Sequence, residues 1–145
     1  MKTKAVKNVD FLILEDDVFY NNLIAKRLGS LKESPDIKDK YRLKINQFSN
    51  AEECLQAAKD TLDSPKATLA FIDYYLGNGI NGEHLINLLV DQNERIDIVL
   101  MSRSHRALEK SVFNKSNNKV YAKLVKEEFT PDICCIIAEQ YIKRI

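Results

Sequence analysis

Five side chains in this sequence could do chemistry together, and all occur at one kind of place. Glu15 and Asp16 close the apolar run Val9–Leu14, with Asp17 next; Asp73 closes Thr68–Ile72; Ser102 closes Ile96–Met101; Lys123 follows Lys119–Ala122. Taken singly, each has an ordinary use: Asp17 and Ser102 as helix caps, Lys123 as a solvated surface charge. An acid pair, an acid, a hydroxyl and a cation at four separate run ends, in chain order, ask for a joint explanation. Glu15, Asp16 and Asp73 crowded at one rim would repel one another unless a cation lay among them. Oxygen ligands select a hard cation, and a loose set of two or three carboxylates with waters suits Mg²⁺ better than a full Ca²⁺ cage. Zinc generally takes His or Cys, which the set lacks. A carboxylate facing such a metal can act as a nucleophile toward a phosphoryl group, with a Lys and a hydroxyl taking other phosphoryl oxygens.

These positions need elements to carry them. Val9–Leu14, Thr68–Ile72 and Ile96–Met101 read as strands buried on both faces, and Lys119–Ala122 as a shorter one. Tyr41, Leu43 and Ile45 alternate with Arg42, Lys44 and Asn46, the pattern of a half-exposed strand near a sheet edge. Between the runs the spacing turns helical: Tyr20, Ile24, Leu28 and Leu31; then Leu55, Ala58 and Leu62 behind a capping box at Ser49–Glu52; then Leu85, Leu88 and Leu89. His105–Lys115 is a weak helix anchored by Leu108 and Val112, and Thr130-Pro131-Asp132 opens a last helix carrying Ile133, Ile136, Ile137 and Tyr141. Five strands alternating with five helices predict an α/β protein with a doubly wound parallel sheet. Ligands of such sheets bind beyond the carboxyl ends of the strands, where the five residues fall.

Composition narrows the class. The 145 residues fit one domain, and 45% hydrophobic with 30% charged residues suffices for a core. With 22 Lys and Arg against 21 Asp and Glu, the chain has no overall basic surplus for direct binding of nucleic acid or an anionic membrane. No apolar run approaches the roughly 20 residues of a membrane span. The basic start, Met1–Lys7, runs into Asn8 without the apolar stretch of a signal peptide. Cys54, Cys134 and Cys135 form no CxxC pair. A reduced, cytoplasmic single domain is expected. His84 and His105 read as surface or capping residues, and one of the adjacent Cys134 and Cys135 is expected in the core.

From about Val9 to Ile145, the order of these residues resembles the receiver domain of two-component response regulators, most of all the stand-alone receivers of the chemotaxis type. Residues 1–8 then read as a basic N-terminal extension. The resemblance implies a flavodoxin-like, five-stranded parallel sheet in the order 2-1-3-4-5 with five helices. It implies a Mg²⁺ site formed by Glu15, Asp16, Asp73 and the backbone carbonyl of Tyr75. Asp73 is implied as the phosphoacceptor, with Ser102 and Lys123 on the phosphoryl group. The phosphoryl donor would be a histidine kinase or a histidine phosphotransfer protein. Such a domain is no conventional enzyme, since it catalyses only its own phosphorylation and dephosphorylation. It would act by docking, with no output domain, through the face of the fourth helix, fifth strand and last helix, to a downstream protein or a second copy. That region is basic: residues 101–145 hold 9 basic against 5 acidic residues, whereas the first hundred hold 13 against 16.

The chain departs from the family pattern in several places. Gly77 stands where receivers often have Pro, the loop ending at Gly82 is about one residue longer than usual, and Leu124 follows Lys123 in place of Pro. Val120 stands three before Lys123, where an aromatic is usual, and Tyr121 should point to the opposite face. Arg103 replaces a small residue, and Tyr75 and Ser104 fill the two variable places that tune hydrolysis. A bulky Tyr75 would screen an acyl phosphate from water, so a long-lived phosphoryl group is expected, and Tyr75→Asn should speed its loss. Two other readings exist. A receiver-shaped interaction module would carry no phosphate, and a dehalogenase-like phosphatase would need a second Asp where Tyr75 stands.

Overall fold

The computed structural model describes residues 5–60, 67–74, 82–92, 96–104, 106, 108 and 120–145. The apolar runs become five strands: β1 (Lys7–Leu14), β2 (Tyr41–Phe48), β3 (Ala67–Asp73), β4 (Ile96–Ser102) and β5 (Val120–Val125). They form one sheet in the order β2-β1-β3-β4-β5, every neighbouring pair parallel. The described helices are α1 (Val18–Gly29), continued by a 3₁₀ turn over Ser30–Glu33, α2 (Ala51–Asp60), α3 (Gly82–Gln92) and α4 (Thr130–Arg144). The expected helix over 105–115 falls largely outside the described residues; Arg106 and Leu108 within it are helical. The doubly wound sheet and its strand order are as expected, with four helices described where five were expected.

Side-chain alternation along the central strands makes two cores. Val9, Phe11 and Ile13 of β1, with Leu69 and Phe71 of β3, face α1 and α4, where they meet Ile24, Leu28, Cys134, Ala138 and Ile142. Leu12, Leu14, Ala70, Ile72 and Leu100 face the other way, onto Cys54, Ala58, Leu85, Ile86 and Leu89 of α2 and α3. Burial on both faces is why β1, β3 and β4 read as unbroken apolar runs, whereas β2 and β5 are half-exposed edges. Cys134 is the cysteine that joins the core, and Cys135 is half-buried. His84 is exposed.

The structure moves several boundaries. Lys7 and Asn8, assigned by sequence to the extension, are paired in β1 with Tyr41 and Arg42. The Asn50 side chain, not that of Ser49, caps α2, its Oδ1 accepting from Glu53 N–H at 2.9 Å. Asp17 caps α1 as its ordinary reading suggests, its Oδ1 accepting from Tyr20 N–H at 3.1 Å. The Thr130 side chain does not cap α4: its hydroxyl accepts from Glu127 N–H at 2.8 Å and donates to the Val125 carbonyl at 3.0 Å. β5 carries a bulge, since Ile98 pairs with Val120 and the next residue, Val99, with Ala122, which leaves Tyr121 over. Tyr121 does lie on the face opposite Val120, edge-on to Tyr141 with ring centres 5.5 Å apart.

Candidate functional site

Four strand ends build one rim. β1 leads into Glu15, Asp16 and Asp17, β3 ends on Asp73, β4 on Ser102, and β5 runs on to Lys126. Glu15, Asp73 and Ser102 are buried and Asp16 is exposed. One carboxylate oxygen from each of Glu15, Asp16 and Asp73 lies within 4.8 Å of the others. Ser102 follows Met101, the residue paired with Asp73 across β3 and β4, and its Oγ accepts from Ser104 N–H at 3.1 Å.

The cation among the carboxylates is Lys126, not Lys123. Its Nζ donates to Glu15 Oε2 at 2.8 Å and to Asp73 Oδ2 at 3.5 Å, with only 5% of the side chain exposed. Lys123 lies within β5, exposed, and its Nζ donates to the Leu108 carbonyl at 3.3 Å. The expectation for Lys123 is corrected on this geometry. A charged side chain does not end a ladder at a sheet edge: Leu124 and Val125 still pair with Met101 and Ser102. The first residue past the ladder is Lys126, whose N–H donates to the Ser102 carbonyl at 2.7 Å. The signal in the sequence was the pair Leu124-Val125, which prolongs the apolar pattern to Lys126 before Glu127 and Glu128 break it.

Asn21 is a second residue that sequence reasoning passed over. Buried on α1, it donates from Nδ2 to the carbonyls of Glu15 (3.1 Å) and Phe48 (3.0 Å), while its Oδ1 accepts from Gln47 Nε2 (3.0 Å). These bonds pin the backbone that presents Glu15. An amide among apolar positions, three residues before Ile24 on the inner face of α1, was the available cue. Asn21→Ala leaves buried carbonyls short of a donor and should cost about 2–3 kcal/mol, read as a lowered urea midpoint with an unchanged slope.

Burial is the largest influence on Glu15, and with the charge of Asp73 it pushes the carboxyl up to about 7 against the opposing bond from Lys126. Burial disfavours the Lys126 ammonium, but the Glu15 hydrogen bond and the charges of Asp73 and Glu15 outweigh it and hold its pKa above the ordinary value. Lys126 therefore stays charged at neutral pH, and Glu15 is the weak acid of the site. The raised carboxyl binds its proton more tightly in the folded chain than in the unfolded one. The contribution of Glu15 to the stability of the metal-free protein is thus fully present below its ordinary value of 4.5 and is lost as pH rises through about 7. In EDTA, the urea midpoint should be higher at pH 5.5 than at pH 8, a gap of about 2 kcal/mol that Glu15→Gln removes.

Glu15, Asp16, Asp17, Asp73, Arg103 and Lys126 line a cleft of about 290 Å³. Three converging carboxylates against one buried ammonium leave the cluster short of positive charge, and an oxygen-only donor set fits a hard divalent cation. The carbonyl of Tyr75, the remaining member of the expected metal set, lies outside the described residues, as do Gly77 and the loop reaching 81. Arg103 is exposed at the mouth of the cleft, and Tyr74 packs against the α2–α3 core beside it.

Solved structures share this architecture. A response regulator receiver domain protein from Clostridium thermocellum superposes with a TM-score of 0.68 at 13% identity, over 94% of this chain and 95% of that one. A CheY-like response regulator receiver domain protein from Methanospirillum hungatei JF-1 gives 0.65 at 20% identity, over 96% of each chain. The response regulator TrrA from Thermotoga maritima, solved in complex with Mg²⁺ and BeF, gives 0.62 at 15% identity, over 94% of this chain and 97% of that one. The fold is the receiver fold. At these identities the likeness speaks to the fold and not to the chemistry. No protein-family model matches the sequence, and neither does any curated protein. Among the described residues, no helix is long and apolar enough to cross a membrane.

Proposed function

We propose that this chain is a phosphoryl-accepting receiver that signals by docking, with Asp73 as the acceptor. The observation that carries the reading is the meeting of Glu15, Asp16, Asp73 and Lys126 at the carboxyl ends of a parallel sheet. Glu15, Asp16 and Asp73 would hold Mg²⁺, with the Tyr75 carbonyl as a further ligand. Bound there, the metal would neutralise the oxygens of the transferring phosphoryl group. The Asp73 carboxylate is the nucleophile: its oxygen forms the new bond to phosphorus as the bond to the donor nitrogen breaks. Lys126, kept charged by Glu15 and Asp73, takes a phosphoryl oxygen, the role sequence alone gave to Lys123. Ser102 offers its hydroxyl proton to another, a proton left free by the bond its Oγ accepts from Ser104 N–H.

The donor is a histidine kinase or histidine phosphotransfer protein in the cytoplasm. The docking face is formed by α4, β5 and the segment between β4 and β5, for a downstream protein or a second copy. The arrangement lacks the second Asp of a dehalogenase-like phosphatase and speaks against that chemistry. The remaining competitor is an interaction module with the same fold and no phosphate. Incubation with phosphoramidate and Mg²⁺ separates the two. The receiver gains the mass of one phosphoryl group, labile to hydroxylamine and dependent on the metal, whereas the module gains nothing.

A further inference from the structure

Among the described residues, three groups contact the buried ammonium of Lys126, and two of them are acids. The third is the ring of Tyr20 on α1, whose centre lies 4.6 Å from Nζ. The Tyr20 hydroxyl donates to the carbonyl of Glu127, the residue after Lys126, at 3.4 Å, so the ring is tied to the loop that carries the lysine. Its other end is equally fixed, because the Tyr20 N–H is the donor in the Asp17 cap of α1. Thr130 braces the same loop from below through Glu127 N–H and the Val125 carbonyl. An aromatic face attracts a desolvated ammonium without adding another acid to an already acidic cluster. It closes the side through which a long, flexible lysine would otherwise swing out.

We infer that Tyr20 is a positioning residue that holds Lys126 against the acceptor site through its ring face. The inference rests on the receiver reading for its kinetic consequence, but not for its geometry. In the wild type, the Lys126 ε-methylene protons should be shifted upfield by the ring in NMR spectra, and Tyr20→Leu should abolish the shift. Absence of the shift in the wild type overturns the placement whether or not the protein takes up phosphate, and it needs no variant to fold. With phosphoramidate and Mg²⁺, Tyr20→Leu should react about tenfold more slowly, while Tyr20→Phe, which keeps the ring, reacts at the wild-type rate. In a Lys126→Met background, Tyr20→Leu should slow the reaction no further. A Tyr20→Phe protein as slow as Tyr20→Leu, or an equal loss in the Lys126→Met background, overturns the inference. A wild type that takes up no phosphate while showing the ring shift defeats the receiver reading and leaves the Tyr20–Lys126 contact standing without a kinetic role.

Discussion

Asp73→Asn should leave a folded protein that acquires no phosphoryl group from phosphoramidate under conditions where the wild type does. Asn matches Asp in shape and keeps a hydrogen-bond acceptor toward Lys126, so packing at the end of β3 is preserved. It loses the nucleophilic carboxylate and one ligand of the three-carboxylate set. The charge of Asp73 is one of the influences that raise Glu15, so its removal should also draw the Glu15 carboxyl down from about 7. Mass spectrometry of the intact chain and a Mg²⁺ titration followed by thermal shift read the two effects together. A labelled Asp73→Asn protein would place the acceptor elsewhere and end the proposal for this residue.

Lys126→Met and Lys123→Met should separate by about a hundredfold or more in phosphorylation rate. Removing one preorganised donor to a developing oxyanion has that effect in other sites. Lys126 is placed for such a role by its two carboxylate contacts, whereas Lys123 is turned to the Leu108 carbonyl. Lys123→Met is expected to react within about twofold of the wild type, as an exposed strand position does. Stability should separate the pair as well. Lys126→Met strands the buried Glu15, which responds by taking a proton, and the change appears as a steeper loss of stability with rising pH. Equal rates for the two variants, or a larger loss in Lys123→Met, would return the role to Lys123.

The fold was legible where burial is two-sided. β1, β3 and β4 are apolar on both faces, so periodicity and composition agree, and their ends mark the site with Glu15, Asp73 and Ser102. The edge strand was harder. On β5 one face is open enough to carry Lys123, and a charge in mid-strand looks the same in sequence as a charge at its end. The ladder to β4 decides between them, and that is a long-range fact. The helix caps slipped for a similar reason. Asn50 and Ser49 are adjacent acceptors of similar capping strength, and the direction of the incoming backbone picks one. Asn21 was missed because its worth lies in three partners, Glu15 just past β1 and Gln47 and Phe48 of β2, that only the folded chain brings to it.

The spare residue in β5 also gives the strand some slack. Tyr121 takes up one position between Val120 and Ala122, so the run from Ala122 to Val125 keeps its phase against β4 independently of what precedes Tyr121. A change of one residue in the segment that feeds β5 can be absorbed at Tyr121, by losing the extra residue or shifting it. The charged end of the strand then stays turned toward the rim, and evolution could vary the length of that segment without moving the lysine.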